Sequence, residues 1–313
     1  MLIELLSKTS SVPESKLLSL SLTASRRYKV YTIPKRTGGD RLIEHPSREL
    51  KAIQRWIARA LFVRFPVHEA ATAYRKGTGI RENAERHRHT KFTNRYDFSN
   101  FFPSFSQERV LHYVSEQSEK VGINLTPRDL DFIGNIVCRH RRLTIGAPTS
   151  PAITNAMMFE FDRRMHEACE SRGLVFTRYA DDIFVSSCEP KKLEGVEELI
   201  LRSKRDIPHI RLQLNRKKTA YLSKKYSRKV TGVVITPQHT LSIGRERKRE
   251  IKALIHQWIK GEIEREKLFY LKGLFAFAID IEPDFEVRLM DKYGNAQIQM
   301  LRKAAIDFPV GLI

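Results

Sequence analysis

The sequence predicts an α+β protein, and three observations carry that reading. Strand-like and helical stretches do not alternate as they would around a parallel sheet. A hairpin is followed by a helix, a lone strand, several helices, a second hairpin, short strands and a helical tail. Two runs of β-formers fold back over tight turns, one at T-G-G-D (37–40) and one inside R-Y-A-D-D-I-F (178–184). From Arg245 onward the pattern is helical, with apolar residues at Leu254, Ile255 and Trp258 and again at Leu268, Leu271, Leu274 and Phe275.

Taken in order, the Leu- and Ser-rich residues 1–27 predict one or two helices, and residues 28–46 the first hairpin. Residues 47–65 set Leu50, Ile53, Ile57, Ala60 and Leu61 on one helical stripe, with Ser47 as N-cap. A short strand at 91–98 leads into a Phe- and Pro-rich turn and two helices up to about residue 140. Residues 146–173 predict a single helix opened by Gly and Pro and closed by Gly173. The second hairpin occupies 174–187, a helix about 191–205, and short strands fall near 209–214, 218–223, 229–236 and 239–243. No repeat or low-complexity linker interrupts the chain.

Composition narrows the class. A chain of 313 residues that is 41% hydrophobic and 9% aromatic has enough apolar material for a packed core. No stretch reaches the roughly 18–20 apolar residues of a membrane span. The N-terminal MLIELLSKTSS has an acid within its apolar run and no basic leader, which argues against a signal peptide. Cys138, Cys169 and Cys188 make neither a disulfide framework nor a metal motif, as expected of a cytoplasmic protein. The net charge of +20 is concentrated: residues 201–252 hold 16 Lys or Arg and 3 Asp or Glu, a local excess of 13. Such a field attracts polyanions, and no helix with a bulky apolar face lies beside it to suggest a membrane surface. Nucleic acid is the expected partner.

Against that background the acids at 97, 181 and 182 stand out. Asp97 ends the strand T-N-R-Y-D-F, and Asp181 and Asp182 sit at a hairpin tip 84 residues later. If the two strands are sheet neighbours, three carboxylates converge and each raises the pKa of the others. Divalent cations remove that cost. Hard oxygen donors suit Mg²⁺, which takes one or two carboxylates and completes its shell with water and substrate phosphates. Two such ions activate a hydroxyl and stabilise a leaving pyrophosphate. For any single Asp the plainer reading is a turn cap.

The segment F-T-R-Y-A-D-D-I-F-V-S-S (176–187) resembles the catalytic box of reverse transcriptases. Y-D-F-S-N-F-F-P-S-F (96–105) is similar to that family's first-aspartate motif, G-A-P-T-S-P-A-I-T-N (146–155) to its template- and nucleotide-positioning motif, and L-N-R-K-K-T (214–219) to its lysine motif. Two further boxes resemble those of bacterial retron enzymes, N-A-E-R-H (83–87) and V-T-G-V-V-I-T (230–236). Residues 31–57 and 242–256 also look retron-like, so the resemblance runs from about residue 26 to 280. It implies a right-hand polymerase fold: N-terminal helices and fingers over 1–90, a palm whose antiparallel sheet carries the carboxylates over 91–240, with fingers helices inserted at about 106–145, and a helical thumb over 241–313. It also implies a retron enzyme that copies part of its cognate structured non-coding RNA, of the msr–msd kind. Priming from an RNA 2′-OH then gives branched msDNA. The expected partners are that RNA and its product, dNTPs, and a nearby-encoded effector or toxin protein in anti-phage defence, with no membrane; the expected cofactors are two Mg²⁺ ions, with Mn²⁺ as substitute.

Roles follow from the resemblance. Asp97 and Asp181 bridge both ions, the Phe98 carbonyl completes the triphosphate-side ion, and Asp182 is a weaker or outer ligand. Phe102 takes the steric-gate position that rejects a ribose 2′-OH, while core packing is the plainer reading for Phe101 and Phe102. Lys35 and Arg41 flank the T-G-G-D turn and reach the β- and γ-phosphates, or else are solvated hairpin charges. Gly146, Pro148 and Ser150 hold the loop against the nascent base pair, although Ile145 stands where many relatives have Gln. Lys218, or Lys217, protonates the departing pyrophosphate. Asn83 and His87, one helical turn apart, contact the structured RNA or simply lie on a surface helix. Arg228, Lys229, Thr231 and Gly232 offer phosphate contacts and close backbone approach, and Arg245, Arg247, Lys248 and Arg249 start the helix that grips the duplex. The alternatives are a group II intron-like or diversity-generating reverse transcriptase, or an RNA–DNA scaffold restraining a toxic partner.

Overall fold

The computed structural model describes residues 1–34, 38–223, 225 and 228–304, and the chain forms two compact units. The first unit comprises residues 1–77 and 93–221, the second 78–92 and 222–313.

In the first unit, α1 (Leu2–Ser10) and α2 (Glu14–Leu22) precede the hairpin of β1 (Tyr28–Pro34) and β2 (Asp40–Pro46). Its register pairs Pro34 with Asp40, and Gly38 and Gly39 hold φ of +87° and +75°, while Thr37 of the expected turn lies outside the described residues. Helix α3 (Arg48–Ala60) starts where predicted, because the Ser47 hydroxyl accepts the Leu50 N–H. After α4 (Ile80–Arg86), which belongs to the second unit, β3 (Phe92–Ser99) leads to α5 (Gln107–Lys120) and α6 (Pro127–Val137). Residues 146–173 form two helices, α7 (Thr149–Met157) and α8 (Phe159–Glu170), not the single one expected. The ladder relaxes at Met158, whose φ and ψ are −85° and 0° and whose N–H is shared between the Thr154 and Ala156 carbonyls.

Strands β4 (Val175–Tyr179) and β5 (Asp182–Ser187) make the second hairpin; α9 (Val196–Ser203), β6 (Gln213–Leu214) and β7 (Ala220–Ser223) follow. The sheet order is β4-β5-β3-β6, with β7 also on β3. The sequence condition for convergence is therefore met: the strand ending near Asp97 and the strand starting at Asp182 are neighbours. Apolar residues of this sheet, including Phe98, Phe176, Ile183, Phe184 and Val185, are buried together with Phe161 of α8.

The second unit joins α4 to a three-stranded sheet of β8 (Lys229–Val230), β9 (Val233–Ile235) and β10 (Leu241–Ser242), in the order β10-β9-β8. The helices α10 (Arg245–Ile259), α11 (Arg265–Ile281), α12 (Asp284–Tyr293) and α13 (Asn295–Lys303) bury Ile251, Ile255, Leu271, Phe275, Leu289 and Ile298. Among the described residues no helix is long and apolar enough to cross a membrane.

Candidate active site

Within the first unit, Asp97 lies on β3 and is 2% exposed, while Asp181 and Asp182 are half-buried at the β4–β5 turn. The backbone locks the two strands at this point. The Phe98 N–H donates to the Asp181 carbonyl at 3.0 Å, and the Asn215 N–H donates to the Asp97 carbonyl at 2.8 Å. Ala180, between Tyr179 and the acid pair, takes φ +56°, the left-handed backbone that so short a turn requires.

Two of the three carboxylates are met by cations of the chain itself. Lys218 Nζ donates to both oxygens of Asp97, each at 2.8 Å, whereas Lys217 is exposed. Arg95, two residues before Asp97 and so on the same face of β3, donates from Nε to Asp182 Oδ1 at 2.9 Å. Asp181 has burial and the negative charges of Asp182 and Asp97 around it, which push its carboxyl up to about 6. Asp182 is also raised, by burial, with Arg95 opposing. As they stand, no three His, Cys, Asp or Glu side chains among the described residues form a set that holds one ion. The donors nevertheless fit a hard divalent cation: all are carboxylate oxygens, they destabilise one another electrostatically, and one of them is held only by a flexible ammonium.

The neighbouring motif residues divide between surface and core. Phe101 is buried against Phe98, Phe105 and Phe102, and Phe102 is partly exposed, so the core-packing reading holds for Phe101. Gly146 adopts φ +118°, and a β-carbon there would lie 2.7 Å from the Glu44 carbonyl oxygen. With the Glu44 N–H donating to the Ile145 carbonyl at 2.8 Å, the positioning loop is seated directly on β2. Pro148 caps α7, while Ser150 is buried, and its Oγ meets no hydrogen-bond partner among the described residues. Arg41 is exposed opposite Ile33, and Lys35 lies outside the described residues.

One group that sequence reasoning missed sits under the turn. Arg178 and Asp162 are both fully buried; the guanidinium spans the two carboxylate oxygens at 2.7 and 2.6 Å and also donates to Asn155 Oδ1 and the Ala180 carbonyl. The signal was a basic residue among inward-facing β-formers just before the acid pair.

In the second unit, the two retron-like boxes meet. Thr231 and Gly232 have φ of +48° and +82°, and Val230 pairs with Val233, which defines a two-residue hairpin turn. The Thr231 hydroxyl donates to the Ile80 carbonyl at 3.0 Å and lies 3.5 Å from Asn83 Nδ2. The Arg228 guanidinium donates to the carbonyls of His87, Arg88 and Thr90, capping the C-terminal end of α4. The expectation that Asn83, His87 and Arg228 face RNA is corrected here: all three are buried, at 0%, 0% and 2% exposure. Burial, with Arg228 and Arg86 nearby, drives the His87 imidazole down to about 3, so it is neutral. Arg247 donates to the Gly232 carbonyl and stacks over Phe277, and Lys248 is paired with Glu282. Lys229, Arg245 and Arg249 are exposed and face solvent.

Residues 33–235 match the family model for reverse transcriptase (RNA-dependent DNA polymerase). The chain is 36% identical to the retron Ec83 reverse transcriptase of Escherichia coli over 88% of its own length and 90% of that protein's. It is 31% identical to the retron Ec86 reverse transcriptase of Escherichia coli, covering 93% and 90%. Among solved structures, telomerase from Candida albicans in complex with a fragment of telomeric RNA aligns with a TM-score of 0.49 and 13% identity, over 94% of this chain and 59% of that one.

Proposed function

This chain belongs to the retron-type reverse transcriptases, RNA-directed DNA polymerases of α+β right-hand fold, and from that premise we propose that it copies part of a structured RNA of its own system into single-stranded DNA. In this reading synthesis starts from an RNA 2′-OH and leaves a branched RNA–DNA product, msDNA. The protein works in the cytoplasm beside an effector protein in anti-phage defence. The observation that supports it best is the gathering of Asp97, Asp181 and Asp182 on the neighbouring strands β3 and β5, with Lys218 on Asp97.

The fingers are assigned to residues 1–90, the palm to 91–240 and the thumb to 241–313. Asp97 and Asp181, with the Phe98 carbonyl, are proposed to hold two Mg²⁺ ions, for which Mn²⁺ substitutes, and Asp182 is the outer donor. Bound there, such ions lower the pKa of the attacking hydroxyl and stabilise the leaving pyrophosphate. Lys218, released from Asp97, is placed to hand its proton to the pyrophosphate. The part-exposed Phe102 ring selects deoxyribose, and Arg41 and Lys35 grip the phosphates. Lys229, Thr231, Gly232, Arg245 and Arg249 contact the nucleic-acid backbone, whereas the buried Asn83, His87 and Arg228 act by shaping the surface that carries them.

Expression of the gene with its native flanking DNA tests the retron part. The expected product is a DNA of discrete length attached to RNA through a 2′,5′ linkage and released by debranching enzyme. A protein that extends an ordinary primer on RNA yet makes no such species is a reverse transcriptase of another kind.

A further inference from the structure

We propose that Tyr74 is a nucleotide-positioning residue of the polymerase site, its ring stacking on the incoming nucleoside triphosphate; the inference rests on the polymerase reading above. The segment leading to it is fastened from several sides. Arg178 donates its N–H to the Ala70 carbonyl at 2.8 Å and accepts from the Thr72 N–H and hydroxyl at 2.9 and 3.2 Å. Asn155 Nδ2 donates to the Ala73 carbonyl at 2.8 Å, and Arg75 Nη1 reaches back to the carbonyls of His68, Glu69 and Ala71. Ala70 to Ala73 are buried at 0 or 1% exposure.

At the next residue the chain turns outward. Tyr74 is 56% exposed and holds φ +59°, a region bulky side chains enter only where their surroundings force them. A rigid platform that presents an aromatic ring at the cost of backbone strain is spending that strain on display. Its anchors say where the ring is displayed. Arg178 precedes Asp181 by three residues, and Asn155 closes the nucleotide-positioning motif. The charge environment agrees: partial burial raises the phenol pKa first, Asp181 and Tyr179 add to it, and Arg41 opposes. An exposed ring that feels both the Asp181 carboxylate and the Arg41 guanidinium suits a ligand with a flat base, a sugar and a polyphosphate. Stacking on such a base is tolerant of its identity, as a polymerase requires.

The test measures dTTP incorporation on poly(rA)–oligo(dT) by wild type, Tyr74→Ala and Tyr74→Phe, with primer–template affinity read separately by fluorescence anisotropy. The expected result for Tyr74→Ala is a KM for dTTP raised about tenfold, with kcat within about twofold and primer–template affinity unchanged. Tyr74→Phe keeps the ring and should behave as wild type. An unchanged KM in Tyr74→Ala, a loss confined to primer–template affinity, or a Tyr74→Phe variant as impaired as Tyr74→Ala overturns the inference and leaves the polymerase reading standing. A wild-type protein that incorporates nothing overturns both.

Discussion

Lys218 holds Asp97 through both carboxylate oxygens, each 2.8 Å from its ammonium nitrogen. Asp97 is almost fully buried beside two further acids, so a cation is needed there in every state of the site. In the free protein that cation is an ammonium on a flexible stem, and a divalent ion must displace it. Lys218→Met is therefore expected to bind Mn²⁺ about tenfold more tightly than wild type in the absence of nucleotide, since hydrogen bonds to a charged group, worth about 1.5–3 kcal/mol, no longer have to be broken. Titration of free Mn²⁺ by electron paramagnetic resonance measures this. Weaker binding would mean that the lysine organises the donors instead of competing for them.

Arg95 makes Asp182 the less available of the paired acids. Asp182→Asn should retain more primer extension than Asp181→Asn, which is expected to lose about a hundred- to a thousandfold. Equal losses in the two variants would remove the division of labour drawn here.

The Arg178–Asp162 pair is sealed from solvent and braces the Ala180 turn. Removing one partner strands a buried charge. Arg178→Met and Asp162→Leu should each cost about 3–5 kcal/mol in urea unfolding, while the double variant recovers most of the loss. Additive losses would show that the two charges are not coupled.

His87 links stability to pH. Its folded pKa of about 3 lies below the value of about 6.5 expected when unfolded, so the unfolded chain takes up the proton first. The contribution is fully present above about pH 6.5 and is lost as pH falls toward 3, by up to about 1.4 kcal/mol per pH unit. The gap in unfolding free energy between wild type and His87→Gln should shrink from pH 7 to pH 5. Parallel pH curves would place the imidazole in water.

Gly146 allows the positioning loop to lie against Glu44. Gly146→Ala brings a β-carbon onto a backbone oxygen in a left-handed conformation and should cost at least about 1 kcal/mol in thermal melting. A melting temperature equal to wild type would show that β2 yields at no cost.

Much of this was legible in the chain because it is local. Ser47 announces its helix, and the β-formers on either side of Asp181 and Asp182 announce a hairpin. The adjacency of β3 and β5 was legible only through chemistry, since a shared cation site is what would bring the acid at the end of one strand beside the acids at the tip of the other. The failures are long-range. The spacing of Asn83 and His87 puts them on one face of a helix but cannot say that the face is covered, because Arg228, which packs there, comes 141 residues after His87. Arg178 read as one more basic residue, since its partner on α8 is invisible without the fold. The break at Met158 leaves no mark in composition, for no Gly or Pro stands there.

Primer extension by the purified protein on an RNA template, with a DNA primer, dNTPs and Mg²⁺, reads the role of the acid cluster when wild type and Asp181→Asn are run side by side. The predicted result is template-directed DNA synthesis by wild type and its loss in Asp181→Asn. Full synthesis by Asp181→Asn, or none by wild type, would contradict the assignment of the carboxylates on β3 and at the β4–β5 turn as the catalytic centre.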